Sequence, residues 1–403
     1  MNKRKIIIIG KNYVSLLTMA KSLKNCDCEI IVYSTASKQS NKIKELLKCI
    51  VYGKGIDASS KFIDKYIKIE KNESKIISSL IKNYSNETKK PIIIPVDDYS
   101  VSILDSNYEK LSKYLIIPNI EGKQNKINAL LVKDIQKELA TKNGLCVTNG
   151  IVIKKTNGKY IIPGKLNYPV FTKPEISLRG NKTFIKKCEN KEELQNLLET
   201  IPNEFDCPII IEDYIQIEKE YAILGFSYNG EVFIPGIIEM LKSGNGPQIG
   251  VTMIGKTYQS NEHEELISKI ANLVKETKLN GLFDVDIFKA NNKYFFSELN
   301  LRFGASGYAI TKAGVNIPQI YVKKILDEKV DLQNNIKEKT FANEKVLLDE
   351  LINKYITYEE YKKFLKNVDF GFINDSEDSK PYSCFLRNLF VQRIKLKFHD
   401  IKK

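Results

Sequence analysis

The chain has 403 residues, enough for two or three domains with a full hydrophobic core, so neither disulfides nor structural metals are needed to hold it together. Hydrophobic residues make up 42% and charged residues 28%, which argues against wholesale disorder. The net charge of +14 comes from 63 Lys+Arg against 49 Asp+Glu. It has two readings: a surface for polyanions, or a Lys-rich background of the kind A/T-rich codons produce. The lysines form no dense block or basic stripe, which favours the background reading and disfavours nucleic acid as a partner.

In chain order, Lys5–Ile9 reads as a strand, Gly10 as a break, Val14–Leu23 as an amphipathic helix and Glu29–Tyr33 as a second strand. A helical Glu73–Tyr84 precedes a strand Pro91–Val96, and a helical Val101–Tyr114 precedes a strand Leu115–Pro118. This alternation predicts a parallel α/β sheet. Gly10-Lys11-Asn12-Tyr13 is not a dinucleotide fingerprint. Asp97-Asp98 stands where open α/β sheets place ligands, and equally where a helix needs an N-cap. Residues 127–142 predict one helix, and 147–172 short strands and turns. A helix over 190–199 leads to a strand Pro208–Glu212. Glu220–Tyr228 and Glu231–Met240 form a hairpin through Asn229-Gly230. A helix over 261–278 takes Asn261 as its cap, and Phe283–Lys289 and Tyr294–Leu299 pair around Asn291-Asn292. A helix Pro318–Leu326, a polar stretch 327–344, a helix over 345–367 and an alternating strand Phe385–Phe398 complete the chain.

Composition also limits the chemistry. Only His263 and His399 are present, and the seven cysteines show neither a CxxC nor a zinc spacing. Triads built on His and His-rich metal sites are therefore nearly excluded. No apolar run approaches the roughly 18 residues of a membrane span, and the apolar stretch behind Met1–Lys5 is too short for a signal peptide. A cytoplasmic location is the expectation.

The strongest signal is Phe283-Asp284-Val285-Asp286, a turn, and then Ser297-Glu298-Leu299-Asn300-Leu301-Arg302-Phe303-Gly304. Glu298, Asn300 and Arg302, two apart, share one face of a strand. An odd or bulged connection sets Asp286 opposite Glu298, whereas a strict two-residue turn sets it against Ser297. Two carboxylates and an amide oxygen suit one or two Mg²⁺ ions, and Arg302 has the planar fork that grips a phosphoryl group. A solvated polar strand with Arg302 in an ordinary ion pair is the plainer alternative.

These residues resemble the ATP-grasp superfamily of carboxylate–amine ligases. Residues 119–326 look like the catalytic module and 1–118 like the N-terminal α/β domain that precedes it. The resemblance implies an α/β chain (α+β in the catalytic module), a Rossmann-like pre-ATP-grasp domain followed by a two-lobed ATP-grasp fold. The implied division is 1–118, 119–330 with a small mobile lobe at about 147–215, and a C-terminal appendage 331–403.

The implied roles follow the chain. Lys133, in Leu131-Val132-Lys133-Asp134, and Lys173, in Tyr168–Pro174, match the nucleotide-binding lysines. Glu212, Asp213, Tyr214 and Ile215 match the hinge that holds adenine, and Glu220 the ribose-binding acid. Asp286, Glu298 and Asn300 match the metal ligands, with Asp286 where many relatives have Glu. Arg302 matches the phosphate-binding arginine and, with Lys173, carries the catalytic role. Arg302, Ser306 and Gly307 are the implied contacts of the activated carboxylate. The loop after Pro174 keeps only Gly180, leaving Arg179 and Lys182 as candidate phosphate contacts.

By resemblance, ATP with Mg²⁺ (or Mn²⁺) converts a carboxylate to an acyl phosphate, and an amine then attacks to give an amide, ADP and phosphate. Pro91–Pro118 and the tail around Asp375–Pro381 look similar to D-aspartate ligase-like members, which attach an amino acid to a cell-envelope or peptide amine. The Lys242–Pro247 segment reads as a substrate loop or a plain turn. Another small-molecule or peptide substrate, a homodimer, and a nucleotide- or nucleic-acid-binding protein without ligase activity stay open.

Overall fold

The structure, a computed structural model, describes residues 3–36, 55–176, 184–205, 207–245 and 248–401. It begins as the alternation predicts: β1 (Arg4–Gly10), α1 (Tyr13–Leu23), β2 (Cys28–Ala36), β3 (Lys65–Glu70), α2 (Glu73–Tyr84), β4 (Ile92–Pro95), α3 (Asp98–Ser106) and α4 (Tyr108–Leu111). The strands form a parallel sheet in the order β3-β2-β1-β4. β1 is central, and Ile6–Ile9 are fully buried because helices cover both faces. Ile6 and Ile8 pack toward α1, and Ile7 and Ile9 toward α2 and α3. Leu115–Pro118 contributes a single parallel bridge, Ile92 to Ile116, rather than a strand. β3 was not legible, since Lys65-Tyr66-Ile67-Lys68 reads as a polar edge.

β5 (Asn119–Ile120) leads to the predicted helix over 127–142, which is two helices, α5 (Lys126–Leu130) and α6 (Lys133–Lys142). Val132 between them is extended, and this turns α6. A second sheet follows, built from β6 (Gly150–Ile153), β9 (Val170–Pro174), β10 (Lys186–Cys188) and β11 (Ile209–Asp213) in the antiparallel order β10-β9-β11-β6. A two-stranded hairpin, β7 (Lys155–Thr156) and β8 (Lys159–Tyr160), lies beside it, and α7 (Lys191–Glu199) covers it through Leu194, Leu197 and Leu198.

The third and largest sheet has nine strands. Its path runs β17 (Lys293–Asn300), β16 (Leu279–Ala290), β12 (Lys219–Tyr228), β14 (Gly236–Ser243), β15 (Thr252–Gln259), β18 (Thr340–Ala342) and β19 (Phe370–Gly371). β13 (Glu231–Phe233) and β5 add to β12 and β16. α8 (Glu264–Thr277) packs on one face through Leu266, Ile270, Leu273 and Val274. Asn261 does not cap it: a 3₁₀ turn over Ser260–His263 intervenes, and His263 holds the cap position.

α9 (Gly307–Ala313), α10 (Ile317–Ile325), α11 (Glu344–Ile352), α12 (Tyr358–Lys366) and α13 (Ser379–Ile401) complete the chain. The stretch 345–367 is thus two helices, broken before the capping box of Thr357 and Glu360. Phe385–Phe398 lies within α13, not in a strand. Pro381, Phe385 and Leu389 are buried four residues apart, a helical stripe that finds the core.

The C-terminal residues are built into the rest of the molecule. The buried Lys21 ammonium of α1 donates to the Phe372 and Ile373 carbonyls (3.0 and 3.1 Å) and faces Asp375 at 3.5 Å. Asp375 also accepts from the Tyr308 hydroxyl at 2.8 Å. Glu344 accepts the N–H groups of Phe372, Ile373 and Asn374. With Phe385 fully buried and Phe390 64% exposed, Phe385→Ala is expected to cost about 3–5 kcal/mol. Phe390→Ala should stay within about 0.5 kcal/mol. Denaturant unfolding of both variants checks this burial pattern.

Candidate functional site

The site lies on the face of the large sheet opposite α8, and its geometry begins at a turn. Asn291 and Asn292 both have positive φ (49° and 59°), the conformation of a two-residue type I′ hairpin turn. Ala290 therefore pairs with Lys293 and Ile287 with Phe296. Continued unbroken, this register would set Asp286 against Ser297. A bulge at Ser297 shifts it by one residue, and Asp286 pairs with Glu298 and Asp284 with Asn300. The tight turn and the facing carboxylates thus coexist, with the irregularity inside β17 rather than in the loop.

Asp284, Asp286, Glu298 and Asn300 form a two-by-two polar array. Asn300 donates through Nδ2 to Asp286 at 3.0 Å, and Lys133 Nζ reaches Glu298 at 2.9 Å. Arg302 is held from three directions: Nε donates to Asp98 at 3.1 Å, Nη1 to Asp284 at 3.4 Å and Nη2 to the Asn300 side-chain oxygen at 3.2 Å. Burial pushes the Asp284 carboxyl up to about 6, helped by Asp98 and Glu298 and opposed by Arg302. Burial, then Asp284 and Glu298, push Asp286 well above the usual carboxylate range. Burial disfavours the Arg302 cation, but the surrounding carboxylates overrule it and keep it protonated. Gly304 makes this approach possible, because a Cβ there would meet Asp284 Oδ2 at 2.4 Å.

Lys173 extends from β9 toward Glu212 on β11, its diagonal neighbour, at 2.9 Å. Glu212 also meets Lys137 of α6 at 2.5 Å. Burial alone would raise the Glu212 carboxyl; the two ammoniums hold it below the ordinary range. Asp213 and Tyr214 follow at the strand end, where their N–H groups donate to the Asn149 and Pro169 carbonyls. Ile215 lies just beyond, partly buried. Glu220, opposite Phe288, is half-buried, and burial raises its carboxyl. Phe288 and Phe295 stack beside it with ring centroids 5.3 Å apart. Ser306 precedes α9, and Gly307 is packed so tightly that a Cβ would strike the Phe303 ring at 2.1 Å. Arg179 and Lys182 lie outside the described residues, as do Gly246 and Pro247 of the Lys242–Pro247 segment. Asn245 of that segment is tied to Glu350 of α11.

Four residues beyond the candidates read from the sequence enter the site, and Asp98 joins them. Asp284 shared the two-residue spacing of Asp286, and Lys137 stands one turn from Lys133, so both carried a signal. Phe288 extends the same spacing. Asp98 belongs to the Asp97-Asp98 pair marked at a ligand position of the sheet, whereas Gln136 carried no signal. Gln136, buried on α6, accepts the Leu299 N–H at 2.9 Å and donates to the Leu299 and Leu130 carbonyls at 2.8 and 2.9 Å. It thereby holds the main chain between Glu298 and Asn300 on the edge strand. Asp97, by contrast, caps α3 through the Ser100 N–H.

A family model described as an ATP-grasp domain matches residues 138–319. A D-alanine–D-alanine ligase of Staphylococcus carnosus (strain TM300) is 26% identical over 261 residues, 60% of this chain and 71% of that one. Residues 138–319 therefore match an ATP-grasp domain, and the chain is similar to ATP-grasp ligases. The L-amino acid ligase of Bacillus licheniformis shares the fold at 13% identity, TM-score 0.61, over 84% of this chain and 79% of that one. So does N5-carboxyaminoimidazole synthetase of Staphylococcus aureus complexed with ADP, at 18% identity, TM-score 0.61, over 88% and 87%. No helix among the described residues is long and apolar enough to cross a membrane.

The donor set fits a hard divalent ion. Asp286 and Glu298 face each other with Arg302 and Lys133 as the adjoining cations, and the Asn300 amide, whose Nδ2 donates to Asp286 and whose Oδ1 accepts from Arg302, would have to turn over for its oxygen to join them on an ion. Gln136→Leu would leave the Leu299 main-chain groups unpaired. It is expected to cost about 1–3 kcal/mol, read by denaturant unfolding.

Proposed function

We propose that the protein binds ATP between its small and large sheets, activates an amino-acid carboxylate as an acyl phosphate, and joins it to an amine. The observation that carries this reading is the convergence of Asp286, Glu298, Asn300 and Arg302 on one face, with Lys133 and Lys173 close by. In this reading residues 1–118 are the N-terminal domain, 119–330 the catalytic module with its small lobe at about 147–215, and 331–403 an appendage.

A carboxylate repels nucleophiles, so the protein must neutralise charge and position reactants. Glu220 accepts from the ribose hydroxyls, and adenine rests against Phe288 near the Glu212–Ile215 hinge. Lys133 and Lys173 draw charge from the phosphates. Asp286, Glu298 and Asn300 would hold Mg²⁺, for which Mn²⁺ substitutes, and the ion would neutralise phosphate charge. Arg302, fixed by Asp98, Asp284 and Asn300, presents its outer edge to the acyl phosphate. Ser306 and Gly307 border the activated carboxyl. The amine then attacks the acyl carbon, releasing phosphate and a proton.

Similarity around Pro91–Pro118 and Asp375–Pro381 supports D-aspartate as the acid and a cell-envelope or peptide amine as the acceptor; a cytoplasmic location and a homodimer belong to the same proposal. Six described cysteines are free thiols, in keeping with that compartment.

Phosphate release from ATP, with amino acids supplied singly and in pairs, tests this reading. An acid–amine pair should stimulate turnover, and Glu298→Ala should abolish it. The ligase reading fails if no pair stimulates and Glu298→Ala changes neither binding nor turnover; salt-sensitive RNA or DNA binding would then take its place. Asp98→Ala removes one of three anchors of Arg302. It is expected to lower kcat about 10- to 100-fold, as small misplacements do, with the KM for ATP unchanged in steady-state kinetics.

A further inference from the structure

α6 touches two sheets at once. Lys133 reaches Glu298 and Gln136 grips Leu299 on the large sheet. One turn on, Lys137 reaches Glu212 on the second sheet, at 2.5 Å. Glu212 is 5% exposed at its side chain and has a second ammonium, Lys173, at 2.9 Å. One buried carboxylate thus serves two lysines, and they arrive from different elements. Lys173 is the one on β9, whose next residues lead into the segment that follows Pro174; Lys137 is fixed on the helix that also grips β17.

We propose that Lys137 is a positioning residue, the permanent counter-ion of Glu212 that lets Lys173 exchange that carboxylate for the phosphates of the nucleotide. The inference rests on the nucleotide reading above. A triphosphate competes with Glu212 for the Lys173 ammonium. If Lys173 left a Glu212 that had no other partner, it would strand an unpaired charge in a buried setting, which is heavily penalised. Lys137 removes that penalty, so the exchange trades one ion pair for another and leaves Glu212 ionised and oriented beside the hinge. Without Lys137, Glu212 keeps Lys173 and the nucleotide must pay for its release.

The test compares the full-length protein with Lys137→Met and Lys137→Arg, using calorimetric ATP binding, steady-state kinetics and thermal unfolding. Lys137→Met should weaken ATP binding and raise its KM about tenfold, with kcat within about twofold. Lys137→Arg, which keeps the charge, should recover affinity to within about threefold. The double variant Lys137→Met/Glu212→Gln removes the buried charge itself and should bind ATP as Glu212→Gln alone does; it also decides the matter if Lys137→Met alone does not fold. The proposal is overturned if Lys137→Met binds ATP like the parent, if kcat falls with affinity, if Arg fails to rescue, or if the double variant binds more weakly than Glu212→Gln. Failure of the parent protein to bind ATP would instead overturn the nucleotide reading.

Discussion

The register of one hairpin decides whether this molecule has a site at all. Side chains alternate strictly along a strand, so a slip of one residue would send Glu298 and Asn300 to the α8 face and bring Leu299 into the site. The Asn291-Asn292 turn imposes the wrong register, and the bulge at Ser297 corrects it over a single residue. Beyond the bulge, Asp286 faces Glu298, Asp284 faces Asn300, and Arg302 continues on the same side. β17 is an edge strand, where a bulge is easily accommodated. Gln136 then occupies the free edge at Leu299, as a neighbouring strand would, and fixes what the bulge has set.

That register concentrates negative charge. Asp284 and Asp286 are buried among other carboxylates and are pushed up in pKa, a state that Arg302 offsets only in part. Perturbed carboxyls of this kind cluster at functional sites. The same arrangement makes Arg302 rigid, because its three acceptors come from β16, β17 and the start of α3. The N-terminal residues therefore do more than sit beside the polar face of the large sheet: Asp98, at the start of α3, reaches into it.

A second electrostatic centre lies across the cleft, where Glu212 gathers Lys173 and Lys137. α6 joins the two centres, with Lys133 and Gln136 on one and Lys137 on the other. The C-terminal residues close the structure from behind. Buried Lys21 and Glu344 satisfy the main chain of residues 372–374, and Tyr308 of α9 shares Asp375 with Lys21. These polar contacts tie the N-terminal sheet, α9 and the C-terminal segment into one body.

Much of this was legible from residue pattern. The isoleucine run of β1, the alternation of strands and helices, and the two-residue spacing of Glu298, Asn300 and Arg302 follow from local geometry, which the chain encodes residue by residue. Patterns failed where two periods fit the same residues. Phe385–Phe398 alternates well enough for a strand, yet it lies in a helix whose Pro381, Phe385 and Leu389 are buried four residues apart. The helix over 127–142 broke because Val132 turned extended. The lysine-rich composition, with its charge of +14, limited the chemistry without locating it. Which lysines meet which carboxylates was settled by packing alone. Asp98 lies 204 residues from Arg302, and Gln136 lies 163 from Leu299. No local periodicity spans such separations; only the folded sheets and the helix laid across them bring those groups together.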